Sequence, residues 1–317
     1  MNPYGGSERE ALALYELLRG RAETRMWATS SRACATLLSK NPIQRVSPGL
    51  GKVPNGGTYV FVGAHWRNKL WPYLVPAPTR LMYIYNTFHP KAIALTSKMP
   101  LLLGWPSAKY VMISRFQQAL AGLAGPVAVH PSPIDIRHFV PVERSAGASD
   151  KPLVIGRMSR DMPDKHDAQD QSIYRELAED GVEVRLQGAT CIANDLRDVS
   201  SIRITGEGTL PAEVFLRGLD IFYYRSGAHV ETFGRVVFEA MACGLPVVCH
   251  AHGGYAEWIR HGENGFLFRT HDEARSILKR LIENAGLRSA IGKQARATVE
   301  AMYAPAAMEM RAEFYMG

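Results

Sequence analysis

Two glutamates eight positions apart, Glu231 and Glu239, belong to the part of the sequence with the clearest chemical content. Thr232 and Gly234 favour the start of a helix between them, and Gly244 favours its end. A helix N-terminus presents unpaired N–H groups and a partial positive charge, so it suits an anion such as a diphosphate. Neighbouring carboxylates can accept hydrogen bonds from hydroxyl groups. Together these features indicate a site for a nucleotide sugar.

Strands alternate with helices in each half of the chain, and this arrangement would position such a site. Predicted strands lie at residues 58–63, 80–85, 109–114 and 127–130, and then at 153–155, 182–186, 201–204 and 220–224. Short apolar runs of this kind, separated by helical segments, predict an α/β fold with two doubly wound parallel sheets. Ligands bind outside the carboxyl ends of the strands in such sheets. The expected site is therefore a cleft between two domains that face each other.

The string that starts at Glu231, Glu-Thr-Phe-Gly followed by Glu239-Ala-Met-Ala-Cys-Gly-Leu-Pro-Val-Val, resembles a known family signature. It is similar to the paired-glutamate signature of retaining glycosyltransferases of family 4, which have the GT-B fold of two Rossmann-like domains. The resemblance implies that Glu231 contacts the donor sugar and Glu239 the ribose of the nucleotide. It also places Phe233, Gly234 and Arg235 in the donor-binding set.

The domain organisation follows from length and from this resemblance. A chain of 317 residues suits two domains of about 150 residues each. We expect a Rossmann-like acceptor domain at residues 1–145 and a Rossmann-like nucleotide-sugar donor domain at 146–300. The polar stretch at 142–151 is the predicted linker. Residues 301–317 are predicted to form a helix that returns to the N-terminal domain.

A loop after the first strand of the second half contains Gly-Arg157 and, eight residues later, Lys165. It is similar to the Gly-Arg…Lys loop of the same family, in which both cations bind the donor diphosphate. Cations at this place would offset negative charge on the departing nucleotide. The family spacing is usually shorter, so a solvated charged loop is the other interpretation for Lys165. Arg160 is the substitute candidate.

Gly5-Gly6 precedes a predicted helix and resembles the family's glycine loop, which approaches the donor phosphate. The family has a hydrophobic strand before this loop, whereas four residues precede Gly5 here. We therefore expect either that the first strand is absent or that the true chain start lies upstream. His89 resembles the family's strand-end histidine, with hydrogen bonding to the donor sugar as its implied role. His65 is a weaker candidate near the acceptor.

Two glycine-rich segments of the second half also match the family pattern. The first contains Gly253, Gly254 and Glu257, and the second contains Gly262 and Gly265. Gly254 is predicted to allow a close approach of the backbone near the donor. Glu257 is predicted to cap or pair locally.

The charge of the chain is concentrated in its first half. Residues 1–150 carry 17 Lys and Arg against 7 Asp and Glu, and no acidic residue lies between Glu23 and Asp135. Such a surface attracts phosphate, anionic lipid or an acidic polymer. Nucleic acid is disfavoured because no known binding motif accompanies the charge. Lys91 and Lys98, beside apolar residues, suit either an interfacial membrane contact or a buried helix with two exposed lysines.

Composition excludes several other classes of protein. The sequence has no apolar run of about 18 residues, no N-terminal secretory pattern and four scattered cysteines, Cys34, Cys191, Cys243 and Cys249. We expect reduced, mostly buried thiols and a cytoplasmic protein, with attachment to the inner face of the membrane as a further hypothesis. With no Asp-x-Asp triplet, neither a metal nor a cofactor is expected.

The predicted function is transfer of a hexosyl unit, with retention, from a UDP- or GDP-sugar to a glycan or lipid-linked acceptor. Surface polysaccharide or glycolipid synthesis is the expected setting. A GT-B sugar-nucleotide epimerase or hydrolase is the alternative among enzymes. A non-catalytic scaffold that binds a nucleotide sugar is the alternative outside enzymes. An NAD enzyme is disfavoured because no Gly-x-Gly-x-x-Gly follows a strand.

Overall fold

The predicted alternation of strand and helix is present in both halves of the chain. The computed structural model describes residues 6–30, 34–63, 71–122, 127–142 and 152–317. The chain divides into two units, the first containing Met1–Pro133 with Ala304–Gly317, and the second containing Ile134–Tyr303.

The border between the units lies between Pro133 and Ile134, earlier than the predicted border after residue 145. The segment that follows Pro133 is held by the second unit, because Arg296 donates hydrogen bonds to the carbonyl oxygens of Ile136 and Phe139 at 3.1 and 2.6 Å. Most of the predicted linker, from residue 143 onward, falls outside the described residues.

The first unit has short strands and helices in alternation. Its strands are β1 (Met26–Ala28), β2 (Ile43–Arg45), β3 (Thr58–Val62), β4 (Arg80–Tyr85), β5 (Ala108–Met112) and β6 (Val127–Val129). Its helices are α1 (Gly6–Leu18), α2 (Ala35–Lys40), α3 (Pro90–Leu102) and α4 (Arg115–Ala121).

The strands of the first unit are parallel, as predicted, and within the described residues they form one sheet of four strands and one of two. One sheet has the order β3-β4-β5-β6, and β1 pairs with β2 in the other. Met82, Ile84 and Val111 on β4 and β5 have no solvent exposure, and Leu14 and Leu18 of α1 pack against them.

Helix α3 contains Lys91 and Lys98, for which the sequence predicts either an interfacial membrane contact or a buried helix with two exposed lysines. Ile93 and Thr96 are buried, and the Tyr85 hydroxyl contacts the Thr96 hydroxyl. Lys91 and Lys98 are exposed. The helix therefore has one face in the core and two lysines in solvent. No helix in the described ranges has both the length and the apolarity required to span a membrane.

The second unit is built around a six-stranded parallel sheet. Its strands are β7 (Val154–Met158), β8 (Glu183–Gln187), β9 (Ile202–Thr205), β10 (Ile221–Tyr224), β11 (Val247–His250) and β12 (Phe266–Phe268). Its helices are α5 (Asp170–Glu179), α6 (Ala212–Arg217), α7 (Arg235–Ala242), α8 (His271–Glu283) and α9 (Ala285–Met302). The order is β9-β8-β7-β10-β11-β12, which is the doubly wound arrangement predicted for this half.

The last helix, α10 (Pro305–Met316), belongs to the first unit although it follows the second unit in the chain. Arg311 donates a hydrogen bond to Glu10 at 2.8 Å, and Ser132 donates to the same carboxylate at 2.7 Å. Ala312 and Tyr315 join the core that contains α1 and β4. Glu10 is completely buried, so these contacts provide the counter-charge that its carboxylate needs.

The four cysteines are free thiols, as expected. Cys243 and Cys249 are buried, whereas Cys191 is exposed and Cys34 is partly exposed. The expectation that most of them are buried therefore holds for two of the four.

Candidate active site

The strand order of the second unit reverses between β7 and β10, and doubly wound sheets bind ligands at such a point. After β7, the chain reaches Lys165 at the end of the 3-10 turn Pro163–Lys165. After β10, which ends at Tyr224, it reaches Glu231 shortly before α7 begins. Two of the predicted site residues therefore come from the carboxyl ends of adjacent strands.

Lys165 and Glu231 form an ion pair at this point. The Lys165 Nζ donates to Glu231 Oε2 at 2.7 Å, and the Tyr224 hydroxyl donates to the same oxygen at 2.8 Å. The Lys165 and Glu231 side chains are 8% and 14% exposed. Burial raises the pKa of Glu231, but the Lys165 charge and the two hydrogen bonds outweigh burial, so the pKa is lowered overall. Glu231 is therefore an ionised acceptor at neutral pH.

Backbone contacts that require glycine hold the segment from Glu231 to α7. The Gly254 N–H donates to the Glu231 carbonyl at 2.9 Å, and a Cβ at position 254 would lie 1.9 Å from the Thr232 carbonyl oxygen. Gly234 is the N-cap of α7, with a left-handed φ of 84° that favours glycine. The close approach at Gly254 is made to the loop that carries Glu231, and its predicted place near a donor stays a prediction.

Glu239 and Arg235 lie on the first turns of α7. Glu239 is 3% exposed, and its Oε1 lies 3.7 Å from a terminal nitrogen of Arg235. The Nε and Nη1 atoms of Arg235 are buried and have no hydrogen-bond partner within the described part of the chain. Buried donors on a charged group are costly without an acceptor. Arg235 therefore fits an anionic or hydroxyl-bearing ligand at the start of α7.

Arg157 has a different role from the predicted diphosphate contact. Its side chain has no solvent exposure, and its two terminal nitrogens donate to the carbonyl oxygens of Lys165 at 2.7 Å and Arg225 at 2.9 Å. The buried carboxylate of Asp170 lies 3.6 Å away. Because both terminal nitrogens are engaged inside the protein, Arg157 holds the backbone on which Lys165 stands. The substitute candidate, Arg160, is exposed on the same loop.

The Phe233 side chain also differs from the predicted donor contact. Its ring is 2% exposed and stacks on Phe238, with the ring centroids 4.3 Å apart. Any contact between this position and a donor is therefore limited to its backbone.

Gly6 and His89 belong to the first unit, whereas the residues described so far belong to the second. Gly6 opens α1, and a Cβ there would lie 3.7 Å from the Asn86 side-chain nitrogen. His89 is exposed and immediately precedes α3. Both residues are close to the carboxyl end of β4, because Asn86 directly follows that strand. Gly5 and His65 lie outside the described residues.

Sequence analysis missed two residues of the ion-pair region, Tyr224 and His229. Tyr224 ends a predicted strand, so the rule that ligands gather at strand ends could have identified it. His229 lies 3.4 Å from Asp164, and burial together with the Lys165 charge lowers its pKa. His229 lies in an irregular turn, so the sequence has no helical or strand periodicity there that could identify it. Among the residues that the structure describes, no three His, Cys, Asp or Glu side chains form a group that could hold a metal.

His166, next to Lys165, makes the stability of the second unit dependent on pH. Its Nε2 lies 2.9 Å from the Gly188 carbonyl oxygen, and burial followed by the Arg157 charge lowers its pKa to about 4. The folded state therefore binds fewer protons than the unfolded state. Its contribution to stability is present above about pH 6.5 and is lost as the pH falls towards 4.

We expect His166→Gln to flatten this pH dependence, because Gln can keep a donor towards Gly188 but does not titrate. The slope of the free energy of unfolding against pH should fall by up to about 1.4 kcal/mol per pH unit between pH 4.5 and 6. Urea unfolding at several pH values measures the slope. The exposed His252 gives the matched control, His252→Gln, which should keep the slope of the parent. An unchanged slope in His166→Gln would contradict the prediction.

Part of the second unit matches a known protein family. Residues 202–298 match the family described as Glycosyl transferases group 1. A D-inositol 3-phosphate glycosyltransferase of Stackebrandtia nassauensis is 42% identical over 80 residues, which make up 25% of this chain and 17% of that protein. The matched part is thus a small fraction of the relative's length.

Two solved structures are similar over nearly the whole chain. Anabaena Alr3699/HepE, solved in complex with UDP, is 19% identical, with 99% of this chain and 96% of that chain covered and a TM-score of 0.71. A glycosyltransferase from Rickettsia africae ESF-5 is 16% identical, with 98% and 94% covered and a TM-score of 0.73. At these identities the likeness establishes the fold. The predicted GT-B fold and the resemblance to group 1 enzymes are therefore confirmed.

Proposed function

Because this chain carries a group 1 glycosyltransferase domain on a GT-B fold, we propose that it transfers a hexosyl unit from a nucleotide-diphosphate sugar with retention of configuration. The observation that carries the proposal is the Lys165–Glu231 ion pair at the point where the strand order reverses. The donors of Arg235 at the start of α7 support it. HepE was solved with UDP, so a UDP-sugar is the first donor to test and a GDP-sugar the alternative.

The geometry supports a separate role for each side chain. Both described contacts of the Glu231 carboxylate fall on Oε2, so Oε1 is the oxygen available to a hydroxyl of the donor sugar. The Lys165 ammonium would offset charge on the departing diphosphate, which is the main electrostatic demand of the step. Glu239 would accept hydrogen bonds from the ribose. Arg235 and the first N–H groups of α7 would bind phosphate oxygens.

Retention would then arise without a covalent intermediate. Glu231 is already paired with Lys165, so we do not propose it as the nucleophile. Stabilisation of the negative charge on the diphosphate would weaken its bond to the sugar. The acceptor hydroxyl would then attack the sugar on the same face from which the leaving group departs. The proton of that hydroxyl would pass to the departing phosphate oxygen. We propose that no metal or cofactor takes part.

A panel of UDP- and GDP-sugars, with and without candidate acceptors, tests this function. We expect nucleotide release that depends on acceptor and persists in EDTA, and a product with the anomeric configuration of the donor. Conversion of the donor sugar without acceptor would favour the epimerase or hydrolase. Binding of a nucleotide sugar without any release would favour the scaffold.

Arg235→Met should weaken nucleotide binding, because Met keeps the apolar stem but removes the buried donors. We expect the Kd for the nucleotide diphosphate to rise about 10- to 100-fold, the loss of one or two hydrogen bonds to a charged group. Isothermal titration with UDP and GDP measures it. Arg203→Met is the matched control, since Arg203 is exposed on β9 and pairs with Glu183. Equal Kd changes in both variants would contradict the assignment.

For the acceptor side we propose a glycan or lipid-linked molecule, with the first unit attached to the inner face of a membrane. The acid-free tract between Glu23 and Asp135 carries 12 Lys and Arg, and Lys91 and Lys98 are exposed on α3. Large apolar side chains of the same unit are more than half exposed, namely Leu50 (76%), Tyr73 (55%) and Leu74 (62%). Cationic and apolar groups together suit an anionic lipid surface.

Liposome co-sedimentation tests the membrane contact. We expect the protein to sediment with anionic vesicles and not with neutral ones, and we expect Lys91→Glu with Lys98→Glu to reduce the bound fraction several-fold. Lys279→Glu with Lys293→Glu makes the same charge change on exposed positions of the second unit and should have a smaller effect. Equal binding to neutral vesicles, or an equal loss in the control, would exclude the proposed surface.

A further inference from the structure

Tyr224, the last residue of β10, has a ring that other side chains hold on several sides. The Phe222 ring stacks on it with the centroids 6.1 Å apart, and the Tyr255 ring meets it edge-on at 5.7 Å. The guanidinium carbon of Arg157 lies 5.1 Å from its centroid, within the range of a cation–π contact. Tyr224 is buried among these neighbours, so its ring has little freedom to turn.

The hydroxyl of this ring is a hydrogen-bond donor throughout the physiological pH range. Burial, followed by the Glu231 charge, raises the pKa of Tyr224 well above its ordinary value. A protonated phenol has one O–H to donate, and its acceptor here is Glu231 Oε2 at 2.8 Å. Tyr224 therefore holds that oxygen from a direction that the packing of its ring sets.

The second donor to Glu231 Oε2 is Lys165, whose side chain is of a different kind. Its ammonium stands at the end of a flexible four-carbon stem and has three donors. The proposed reaction draws this ammonium towards the departing diphosphate, which carries more negative charge than one carboxylate. A bound donor would therefore weaken the hold of Lys165 on the carboxylate and leave the hold of Tyr224 unchanged.

Tyr255 links the ring of Tyr224 to the start of α7. It lies in the 3-10 turn Gly254–Trp258 and is buried. A Cβ at Gly234, the N-cap of α7, would lie 2.5 Å from a ring carbon of Tyr255. One ring therefore packs against both the residue that contacts Glu231 and the helix start that is proposed to bind phosphate.

We propose that Tyr224 is a positioning residue for the donor sugar. It holds Oε2 of Glu231 while Lys165 engages the diphosphate, and so keeps Oε1 directed at a hydroxyl of the sugar. This role rests on the proposed function, because it requires a nucleotide sugar with its hexosyl unit at Glu231. The orientation of the carboxylate matters only when a sugar is present. The Tyr224 hydroxyl should therefore affect the binding of a nucleotide sugar and not of the nucleotide alone.

Tyr224→Phe tests this role, because it removes the hydroxyl and keeps the packed ring. Calorimetry without acceptor gives the Kd of the full chain for UDP and UDP-glucose, and for GDP and GDP-mannose as the alternative pair. We expect the Kd for the nucleotide sugar to rise about 10-fold or more, the loss of one hydrogen bond to a charged group. The Kd for the nucleotide alone should change less than about threefold.

Tyr223→Phe is the matched control for this experiment. Tyr223 is as buried as Tyr224 and lies on the same strand, but its hydroxyl donates to Asp170 at 2.7 Å. The control therefore removes an equivalent bond between a phenol and a carboxylate without touching Glu231. It should leave both Kd values within about threefold of those of the parent.

Three results would overturn the role of Tyr224 alone. Equal rises in Kd for nucleotide and nucleotide sugar in Tyr224→Phe would show a general loss of structure. Unchanged Kd values for both would show that Lys165 is enough to hold the carboxylate. Equal effects in Tyr223→Phe would show that any buried phenol of β10 has the same influence. A parent chain that binds neither nucleotide sugar would instead reject the proposed function, and the role of Tyr224 with it.

Discussion

Glu231→Gln is expected to lower kcat/KM for sugar transfer by about 100- to 1000-fold, the size of effect seen when one charge-stabilising group is removed from an active site. Gln keeps the shape of the side chain but cannot hold the Lys165 ammonium by charge. The Kd for UDP or GDP should change less than about threefold, because the proposed contact of Glu231 is with the donor sugar, which UDP and GDP lack. Steady-state kinetics and calorimetry measure the two quantities separately.

A second variant separates catalysis from folding. Glu231→Gln leaves the Lys165 ammonium nearly buried without its counter-charge, which typically destabilises by about 3–5 kcal/mol. Combining it with Lys165→Met removes both charges, so we expect most of this stability to return while transfer stays lost. Glu263→Gln, at an exposed surface pair with Arg260, is the matched control. Recovery of transfer in the double variant would show that the pair serves only the fold.

Arg157→Met is expected to lower the free energy of unfolding by about 3–5 kcal/mol. The change leaves the carbonyls of Lys165 and Arg225 without their buried donor and removes one of the cations near Asp170. Arg157→Lys should rescue little, because one ammonium does not match the fork that reaches both carbonyls. Chemical denaturation followed by circular dichroism measures the loss.

The effect of Arg160→Met distinguishes Arg160, in the loop after β7, from Arg157 on β7. Arg160 is exposed, so we expect its removal to leave stability within about 0.5 kcal/mol of the parent. If Arg157 were a diphosphate ligand, Arg157→Met would instead raise the Kd for nucleotide and leave unfolding unchanged. That result would restore the role predicted from the sequence.

Long, strongly patterned elements of the second unit could be predicted from the sequence. The strand that ends at Tyr224, the glycine that starts α7 and the apolar stripe behind Glu239 each carry a local signal, and the strand ends then locate the site. The three-residue strands β2 and β12 were not predicted, because so few residues show little periodicity. For the same reason the separation of the first unit into two sheets was not predicted.

Local sequence patterns do not predict contacts between residues that are distant in the chain. Lys165 and Glu231 are 66 positions apart, and no local signal shows that their charges meet on one oxygen. The sequence predicts Arg157 in a loop after a strand, as a phosphate ligand would be, yet it lies within β7, and its partners are carbonyls that two loops bring to it. Sequence patterns therefore pointed to residues that the structure brings together, such as Lys165 and Glu231, but not to the contacts that each one makes.

The pairing of Glu10 with Arg311, across 301 positions, sets an order for assembly on the ribosome. Glu10 is translated 301 positions before its buried counter-charge. All of the second unit, from Ile134 to Tyr303, is translated between the two. The Glu10 carboxylate therefore lacks its partner until the second unit has been made, and the first unit would be the last to reach its native state.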